Sequence, residues 1–280
     1  MLLAFAVGVR RGTHRVVDVA WGLGFAAVAV ATYGMSGGGG GRGLLLTVLT
    51  VVWGLRLAGH IAWRGRGRGE DPRYERMLAR APGSRNLYAL RMVYLLQAAL
   101  VWLVSLPVQA GAYVDHGWGG AGGPGGYGGP GGTGGPGGAG GPGGPVGLAV
   151  AGSLLWLCGI VFEAVGDHQL ARFTADPTNR GRIMDRGLWS WTRHPNYFGD
   201  FCVWWGLFLI ACGSAQAAAV SVVSPLVMSY LLIAGSGKRL LERHMADRPG
   251  YAAYRARTSG FLPWPPKRGD IRGPGRAGKG

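Results

Sequence analysis

The sequence predicts an all-α membrane protein, a bundle of about six transmembrane helices. Hydrophobic residues make up 48% of the 280 residues and only 15% are charged. The apolar residues come in blocks of about 20, the length that crosses a bilayer as a helix. Basic residues concentrate between these blocks, as they do in the cytoplasmic loops of membrane proteins.

Four apolar blocks and one longer stretch supply the predicted crossings. The stretch from about 197 to 234 is long enough for two helices, with a break near Gly213–Ser214. Residues 1–9 are apolar but too short to cross, and we expect them to be the end of a further helix that begins outside this chain. The four separate blocks are residues 16–36, 44–63, 87–108 and 146–165.

The distribution of positive charge predicts the orientation. The formal net charge is +16. Residues 64–85 contain seven arginines, whereas no Lys or Arg occurs between Arg91 and Arg172. The positive-inside rule therefore places 109–145 outside, and six crossings leave both termini in the cytoplasm. We expect a bacterial inner membrane protein. Nucleic-acid binding would rest on charge alone and is not predicted, and no obligate protein partner is indicated.

Composition also divides the chain. Residues 117–145 hold a Gly-Gly-X tract and are predicted to be a disordered outside loop. The tract separates N-terminal helices (1–116) from a C-terminal region (146–266), and a basic tail follows (267–280). The three cysteines fall within predicted crossings, where we expect packing residues and neither a disulfide framework nor a metal site.

Ionisable residues inside the crossings are candidates for function, because burying them in hydrocarbon is costly. Arg56 and His60 are four residues apart and share a helix face. Glu163 and Asp167 have the same spacing at the end of the fourth crossing, and Tyr94 lies near the start of the third. The alternative is snorkelling of side chains from helix ends towards the interface.

The C-terminal region concentrates polar groups on the predicted cytoplasmic side. "GLWSWTRHPNYFGD" (187–200) runs into the fifth crossing, and Trp189 and Trp191 are predicted to be interfacial anchors. After the sixth crossing we expect a cytoplasmic helix, a turn at Pro249–Gly250 and a short helix carrying Tyr254. Arginines match phosphate oxygens and aromatic rings offer stacking faces, so these segments suit a ligand with phosphates and a ring.

These segments resemble the DUF1295 membrane proteins, relatives of the C-terminal domain of steroid 5-alpha-reductases. The resemblance is carried by "VVDVAWGLGF", "RLAGHIAWRGRGRGEDPRY", "DHQL", "GLWSWTRHPNYFGD" and "RPGYAAYRARTSGFLPWPP". The RHPNYFGD segment is shared with a wider superfamily that includes sterol reductases and isoprenylcysteine carboxyl methyltransferases. The resemblance implies helices around a cytoplasm-facing cofactor pocket, with NADPH as the cofactor.

The resemblance also implies roles for individual residues. Asp167 matches an acidic residue of the family, Arg172 a nearby cofactor-contacting cation, and Asn196, Tyr197 and Asp200 the Asn-Tyr-x-Gly-Glu/Asp core. Further candidates for cofactor binding are Arg193, His194, Arg239, Arg243, His244 and Tyr254.

The implied reaction is reduction of a C=C bond conjugated to a carbonyl in a lipid or steroid-like substrate. Hydride goes to the β-carbon while an acid polarises the carbonyl oxygen. Tyr94 would be that acid, and Arg56 and His60 stand where the reductases carry a Glu. Two alternatives stay open: an S-adenosylmethionine-dependent membrane methyltransferase of a lipid or prenylated substrate, and a non-enzymatic membrane protein.

Overall fold

The computed structural model describes residues 1–38, 40–113, 145–235 and 237–266. Within those ranges the chain is helical, with turns between helices and no β-strand. The predicted glycine-rich loop up to residue 144 and the basic tail from 267 lie outside the described residues. The prediction of an all-α fold is confirmed.

The N-terminal half begins with a short helix and continues with three long apolar segments. The third segment contains a π-helical turn at Leu90–Leu95, between α5 and α6. The helices are α1 (Leu2–Arg11), α2 (Val16–Met35), α3 (Gly40–Gly65), α4 (Pro72–Ala79), α5 (Arg85–Ala89), α6 (Leu96–Val104) and α7 (Leu106–Tyr113).

The C-terminal half contains one long helix and a series of shorter ones. A 3₁₀ turn at Pro177–Asn179 follows the long helix. The helices are α8 (Pro145–Ala175), α9 (Leu188–Trp191), α10 (Pro195–Ala211), α11 (Ala215–Ser221), α12 (Val223–Ile233), α13 (Lys238–Met245) and α14 (Tyr251–Arg257).

Five helical segments of the described chain are long and apolar enough to cross a membrane, one fewer than the six predicted. They are Val16–Met35, Gly40–Gly65, Arg85–Val104, Val146–Ala175 and Ala215–Met245. The remaining predicted crossing corresponds to α10, which has 17 residues. At about 1.5 Å per residue it is roughly 25 Å long, a little short of a typical hydrocarbon core.

The break predicted near Gly213–Ser214 is present. Helix α10 ends at Ala211, and the hydroxyl of Ser214 accepts a hydrogen bond from the backbone N–H of Ala217 at the start of α11. An oxygen-bearing side chain at this position satisfies a backbone donor that the first helical turn leaves without a partner. The turn predicted at Pro249–Gly250 is also present, with Gly250 at a φ of 83° just before α14.

The chain forms two compact units that do not follow the linear division of the sequence. Unit 1 comprises Met1–Leu157 and Cys202–Ser229, and unit 2 comprises Cys158–Phe201 and Tyr230–Gly280. Helices α8 and α10 each contribute residues to both units.

The core of unit 1 is built on three aromatic rings. Phe25, Trp53 and Trp204 are fully buried, and their ring centroids lie 4.8 to 5.3 Å apart. Tilted and edge-on contacts at these distances are favourable for aromatic pairs. Helices α2 and α3 approach closely at Gly22 and Gly54, because neither residue has a side chain to separate the backbones.

In unit 2, glycines likewise allow α8 and α10 to pack closely. A Cβ added to Gly199 would lie 2.6 Å from the backbone nitrogen of Glu163. One added to Gly166 would lie 3.1 Å from the ring of Pro195. This close contact places the last turns of α8 directly beside the first turn of α10, where the predicted polar residues lie.

Candidate functional site

Five of the residues predicted to bind a cofactor lie together in unit 2, where the end of α8 contacts the segment leading into α10. We call Asp167, Arg193, His194, Asn196 and Tyr197 the polar wall. The α8–α10 glycine contacts fix the position of one side of the wall. Helices α13 and α14 and the segment after α14 hold the other side through hydrogen bonds.

Arg193 is the most heavily bonded residue of the polar wall. Its Nε and one terminal nitrogen lie 2.9 and 2.8 Å from Oε1 of Glu242 on α13. The other terminal nitrogen donates to the carbonyls of Thr258 and Arg255, at 2.7 and 3.1 Å. Its side chain is only 10% exposed, so the guanidinium ties α13 and the end of α14 to the start of α10.

The segment after α14 reinforces this connection through its backbone. The N–H of Arg193 donates to the carbonyl of Ser259 at 2.9 Å, and the hydroxyl of Thr192 donates to the carbonyl of Phe261 at 2.8 Å. The N–H of Trp264 donates to the carbonyl of Trp191 at 3.0 Å. The chain from 258 to 264 therefore lies alongside 191–193 and fixes the backbone that presents His194.

His194 is buried and has one ring nitrogen without a partner in the described part of the chain. Its Nε2 lies 3.3 Å from Oε1 of Glu242, and its ring stacks on that of Tyr197 with centroids 5.4 Å apart. Burial lowers the pKa of His194 to about 4, more than the neighbouring Glu242 carboxylate raises it. The neutral ring therefore donates from Nε2 to Glu242, and Nδ1 is a buried acceptor with no partner among the described residues.

Asp167 and Asn196 form the second polar pair of the wall. The side-chain amide of Asn196 donates to Oδ1 of Asp167 at 3.4 Å, and its oxygen accepts the backbone N–H of Tyr197 at 3.1 Å. Asp167 and its neighbour on the helix face, Glu163, are both buried. Snorkelling to the interface therefore does not describe either carboxylate.

Trp189 connects this pair to α14 of unit 2. Its indole N–H donates to the carbonyl of Gly166 at 2.9 Å, and its own carbonyl accepts the hydroxyl of Tyr254 at 2.6 Å. Burial raises the pKa of that hydroxyl well above its ordinary value, so it remains a donor. The prediction that Trp189 is an interfacial anchor is wrong because the residue is buried, whereas Trp191 is 47% exposed.

The other predicted cofactor contacts are more open. Arg172, Arg239, Arg243 and His244 are exposed in unit 2, and Asp200 is half-buried one turn after Asn196. Arg239 and Arg243 are four residues apart on α13, so they share a face. Exposed guanidinium groups of this kind suit phosphate oxygens, whereas the guanidinium of Arg193 is already used by protein groups.

The three predicted catalytic residues all belong to unit 1. Tyr94 is fully buried in the π-helical turn, and its hydroxyl is hydrogen-bonded to Nδ1 of His14 at 3.1 Å. Arg56 and His60 are half-buried on one face of α3, where the ring of His60 contacts that of Trp63. π-Helical turns often occur at functional sites, which supports Tyr94 as a candidate.

Sequence reasoning did not single out the residues that hold Tyr94 in place. His14 is fixed because Glu70 accepts hydrogen bonds from the backbone N–H groups of His14 and Arg15 and from the hydroxyl of Thr13. Burial lowers the pKa of His14, so the ring is predominantly neutral at pH 7. The "ED" dipeptide at 70–71 in an otherwise basic loop was the available signal for such a role.

Glu242 is the other residue that the sequence analysis missed. It accepts hydrogen bonds from both Arg193 and His194, at a separation of 49 and 48 residues along the chain. A carboxylate within the basic "GKRLLERHM" segment was the available signal, because a buried arginine needs an anionic partner. Among the described residues, no group of three or more His, Cys, Asp or Glu residues is arranged to hold a metal ion.

The fold and the polar wall define a polytopic helical membrane protein with a buried hydrogen-bonding site at the end of its helices. The chain belongs to the family described as "Protein of unknown function (DUF1295)", whose profile matches residues 4–118 and 145–258. No curated protein and no solved structure matches the chain.

Proposed function

We propose that the protein is an NADPH-dependent reductase of a C=C bond conjugated to a carbonyl in a hydrophobic, lipid-like substrate. The observation that carries the proposal is the buried Nδ1 of His194, an acceptor with no partner in the described chain, two residues before Asn196 of the Asp167–Asn196 pair. Leaving a buried acceptor without a donor costs free energy, and a bound ligand that donates a hydrogen bond removes that cost.

The residues of the polar wall fit the polar groups of a nicotinamide cofactor. A carboxamide offers two N–H donors and one carbonyl acceptor, which match the His194 acceptor and an amide such as that of Asn196. Ribose hydroxyls are commonly bound by a carboxylate, the role that Asp167 would take. The exposed arginines of α8 and α13, Arg172, Arg239 and Arg243, would hold phosphate groups.

When bound, NADPH supplies a hydride to the β-carbon of the substrate. The chain's own residues would bind and orient the two partners and supply the proton. Tyr94 is our candidate for the acid that polarises the carbonyl, because its hydroxyl is fixed by His14 in a fully buried position. A neutral imidazole whose Nδ1–H donates to the phenol oxygen leaves the phenol proton available to the substrate.

Ligand-dependent thermal stability tests the proposal. A ligand that binds only the folded protein stabilises it by mass action, by about 2.7 kcal/mol at a concentration of one hundred times Kd. We expect NADPH to raise the unfolding temperature of the protein purified in detergent. The expected effect is lost in Asn196→Ala and retained in Asn86→Ala, a matched change at an exposed position in unit 1.

S-Adenosylmethionine is the discriminating second ligand. If S-adenosylmethionine stabilises the protein and NADPH does not, the reductase proposal is wrong and the methyltransferase alternative takes its place. If NADPH stabilises Asn196→Ala as much as the unchanged protein, the polar wall is not part of the cofactor site. A positive binding result would justify assaying NADPH oxidation with a panel of lipid-like enones, with Tyr94→Phe as the test of the acid.

A further inference from the structure

A second ligand site is indicated on the cytoplasmic part of unit 2. A cleft of about 570 Å³ lies between the segment 181–186 and the start of α14. This volume lies within the range of small-molecule sites in proteins. The side chains that line it include Phe173, Arg182, Asp185, Arg186, Tyr254 and Arg257.

The cleft is positively charged. Its lining holds three arginines and one aspartate, and the aspartate is already used, because Asp185 forms an ion pair with Arg257. Arg182 and Arg186 are exposed, and neither side chain makes a hydrogen bond or ion pair within the described part of the chain. Two guanidinium groups are therefore available to a ligand, and both enter the cleft from the same segment.

The walls of the cleft are held in place. Gly181 and Gly187 have φ values of 81° and 58°, a left-handed region that glycine adopts at no steric cost, and they bracket the segment that carries the two arginines. The side-chain oxygen of Gln169 accepts the backbone N–H of Leu188 at 3.0 Å. On the opposite side, Tyr254 is fixed by its hydrogen bond to Trp189. The cleft thus exists without any rearrangement of these contacts.

We propose that this cleft binds a phosphate group attached to an apolar or aromatic body. Guanidinium groups bind phosphate oxygens in a bidentate manner, and the exposed guanidinium groups of Arg182 and Arg186 both line the cleft. Phe173, Ile183 and Pro249 give the cleft apolar surface next to these cations, which a bare inorganic anion would leave uncovered. This site is additional to the polar wall and does not depend on the reductase proposal.

Two sources can supply a ligand of this chemistry. A soluble nucleotide presents a phosphate and a planar base, and a phospholipid presents a phosphate headgroup and glycerol ester. Titrations of the full chain in detergent distinguish them. The first titration uses adenosine 2′-phosphate and compares it with inorganic phosphate and with adenosine, each of which is one part of that ligand. The second uses dioctanoyl phosphatidic acid and compares it with dioctanoyl phosphatidylcholine.

The decisive variant is the double substitution Arg182→Gln and Arg186→Gln. Its matched control is Arg180→Gln with Arg248→Gln, which removes the same charge from exposed positions outside the cleft lining. We expect adenosine 2′-phosphate or phosphatidic acid to bind at least tenfold more tightly than adenosine or phosphatidylcholine. This preference is lost in the cleft variant and kept in the control.

Each result has a defined meaning. Binding of adenosine 2′-phosphate that is lost in the cleft variant identifies a nucleotide ligand, and binding of phosphatidic acid that is lost in the same variant identifies a membrane lipid; either supports the cleft as a phosphate site. Equal binding to the cleft variant and the control overturns the proposal, as does the absence of a preference for phosphate. Asn196→Ala is expected to leave this binding unchanged, so a failure here is separate from a failure of the NADPH experiment.

Discussion

Arg193 and His194 are adjacent in the chain and both contact the carboxylate of Glu242. Arg193 is charged, whereas His194 is neutral. Arg193 is always protonated and forms the ion pair with Glu242. His194 is almost completely buried, and burial disfavours its charged form. The positive charges of Arg193 and Lys238 disfavour that form further, so the ring is neutral. The sequence identified this dipeptide as polar and important, but the internal use of Arg193 appears only once α13 is packed against it.

The stability of the protein is expected to fall as the pH falls through the range in which His194 becomes protonated. The pKa of His194 is about 4 in the folded protein against 6.5 in an exposed histidine. Between these values the unfolded chain binds a proton that the folded one does not, so stability is complete above about pH 6.5 and declines towards pH 4. The contribution of this residue is at most about 3 kcal/mol.

Thermal unfolding measured between pH 7 and 4.5 checks this expectation. Comparison with His194→Gln isolates the residue from the carboxylates, which titrate in the same range. The pH profile of His194→Gln should be flatter than that of the unchanged protein, and that of His244→Gln, at an exposed histidine of α13, should match the unchanged protein. Parallel profiles for all three proteins would show that His194 is not buried as a neutral ring.

At the scale of elements, glycine spacing determines how α8 and α10 pack. Glycines recur every seven residues, at 152, 159 and 166 on α8 and at 199 and 206 on α10. Seven residues are close to two helical turns, so each set lies on one face. Gly159 contacts Gly199 in unit 2, and Gly152 contacts Gly206 in unit 1. This repeat is visible in the sequence, although its partner helix is not.

Gly199→Ala is expected to destabilise the protein by about 1–3 kcal/mol, the usual cost of overpacking a tight contact. The new Cβ would lie 2.6 Å from the backbone nitrogen of Glu163, which cannot move without disturbing α8. Gly59→Ala on α3 is the matched control, since a Cβ there meets nothing within 4 Å. Unfolding temperatures in detergent measure both, and equal values for the two variants would contradict close α8–α10 packing.

At the scale of the whole molecule, the charge pattern predicts which segments face the cytoplasm. Of the five described segments long enough to cross a membrane, the second, the fourth and the fifth are followed by basic segments, and the first and the third are not. The positive-inside rule then assigns the segment 176–187, the polar wall and the proposed phosphate cleft to the cytoplasmic side. Soluble cofactors are found on that side, so orientation is a requirement of the proposed function.

Cysteine accessibility in intact cells tests the orientation. In a background where Cys158, Cys202 and Cys212 are replaced by Ala, Thr178→Cys should react with a membrane-impermeant maleimide only after permeabilisation. Thr133→Cys, within the glycine tract, should react in intact cells. The reverse pattern would place the polar wall outside and would be incompatible with a cytoplasmic cofactor.

The sequence by itself determined the helical fold, the approximate position of each apolar segment, and the breaks near Gly213–Ser214 and at Pro249–Gly250. These features follow from local rules, because a helix in hydrocarbon must satisfy its own backbone and present about 20 apolar residues. The resemblance of short motifs identified the family. The number of crossings differs from the prediction by one, because the 17 residues of α10 fall at the limit of a crossing.

Only the tertiary structure decided which polar groups are available to a ligand. Arg193 and Arg182 look alike in the sequence, yet the first is used by Glu242 and two carbonyls and the second faces a cleft. Trp189 and Trp191 differ in the same way, one buried and one exposed. The residues that contact them lie tens of positions away in the chain, and helix packing determines which residues these are. Neither the periodicity nor the composition of the sequence specifies that packing.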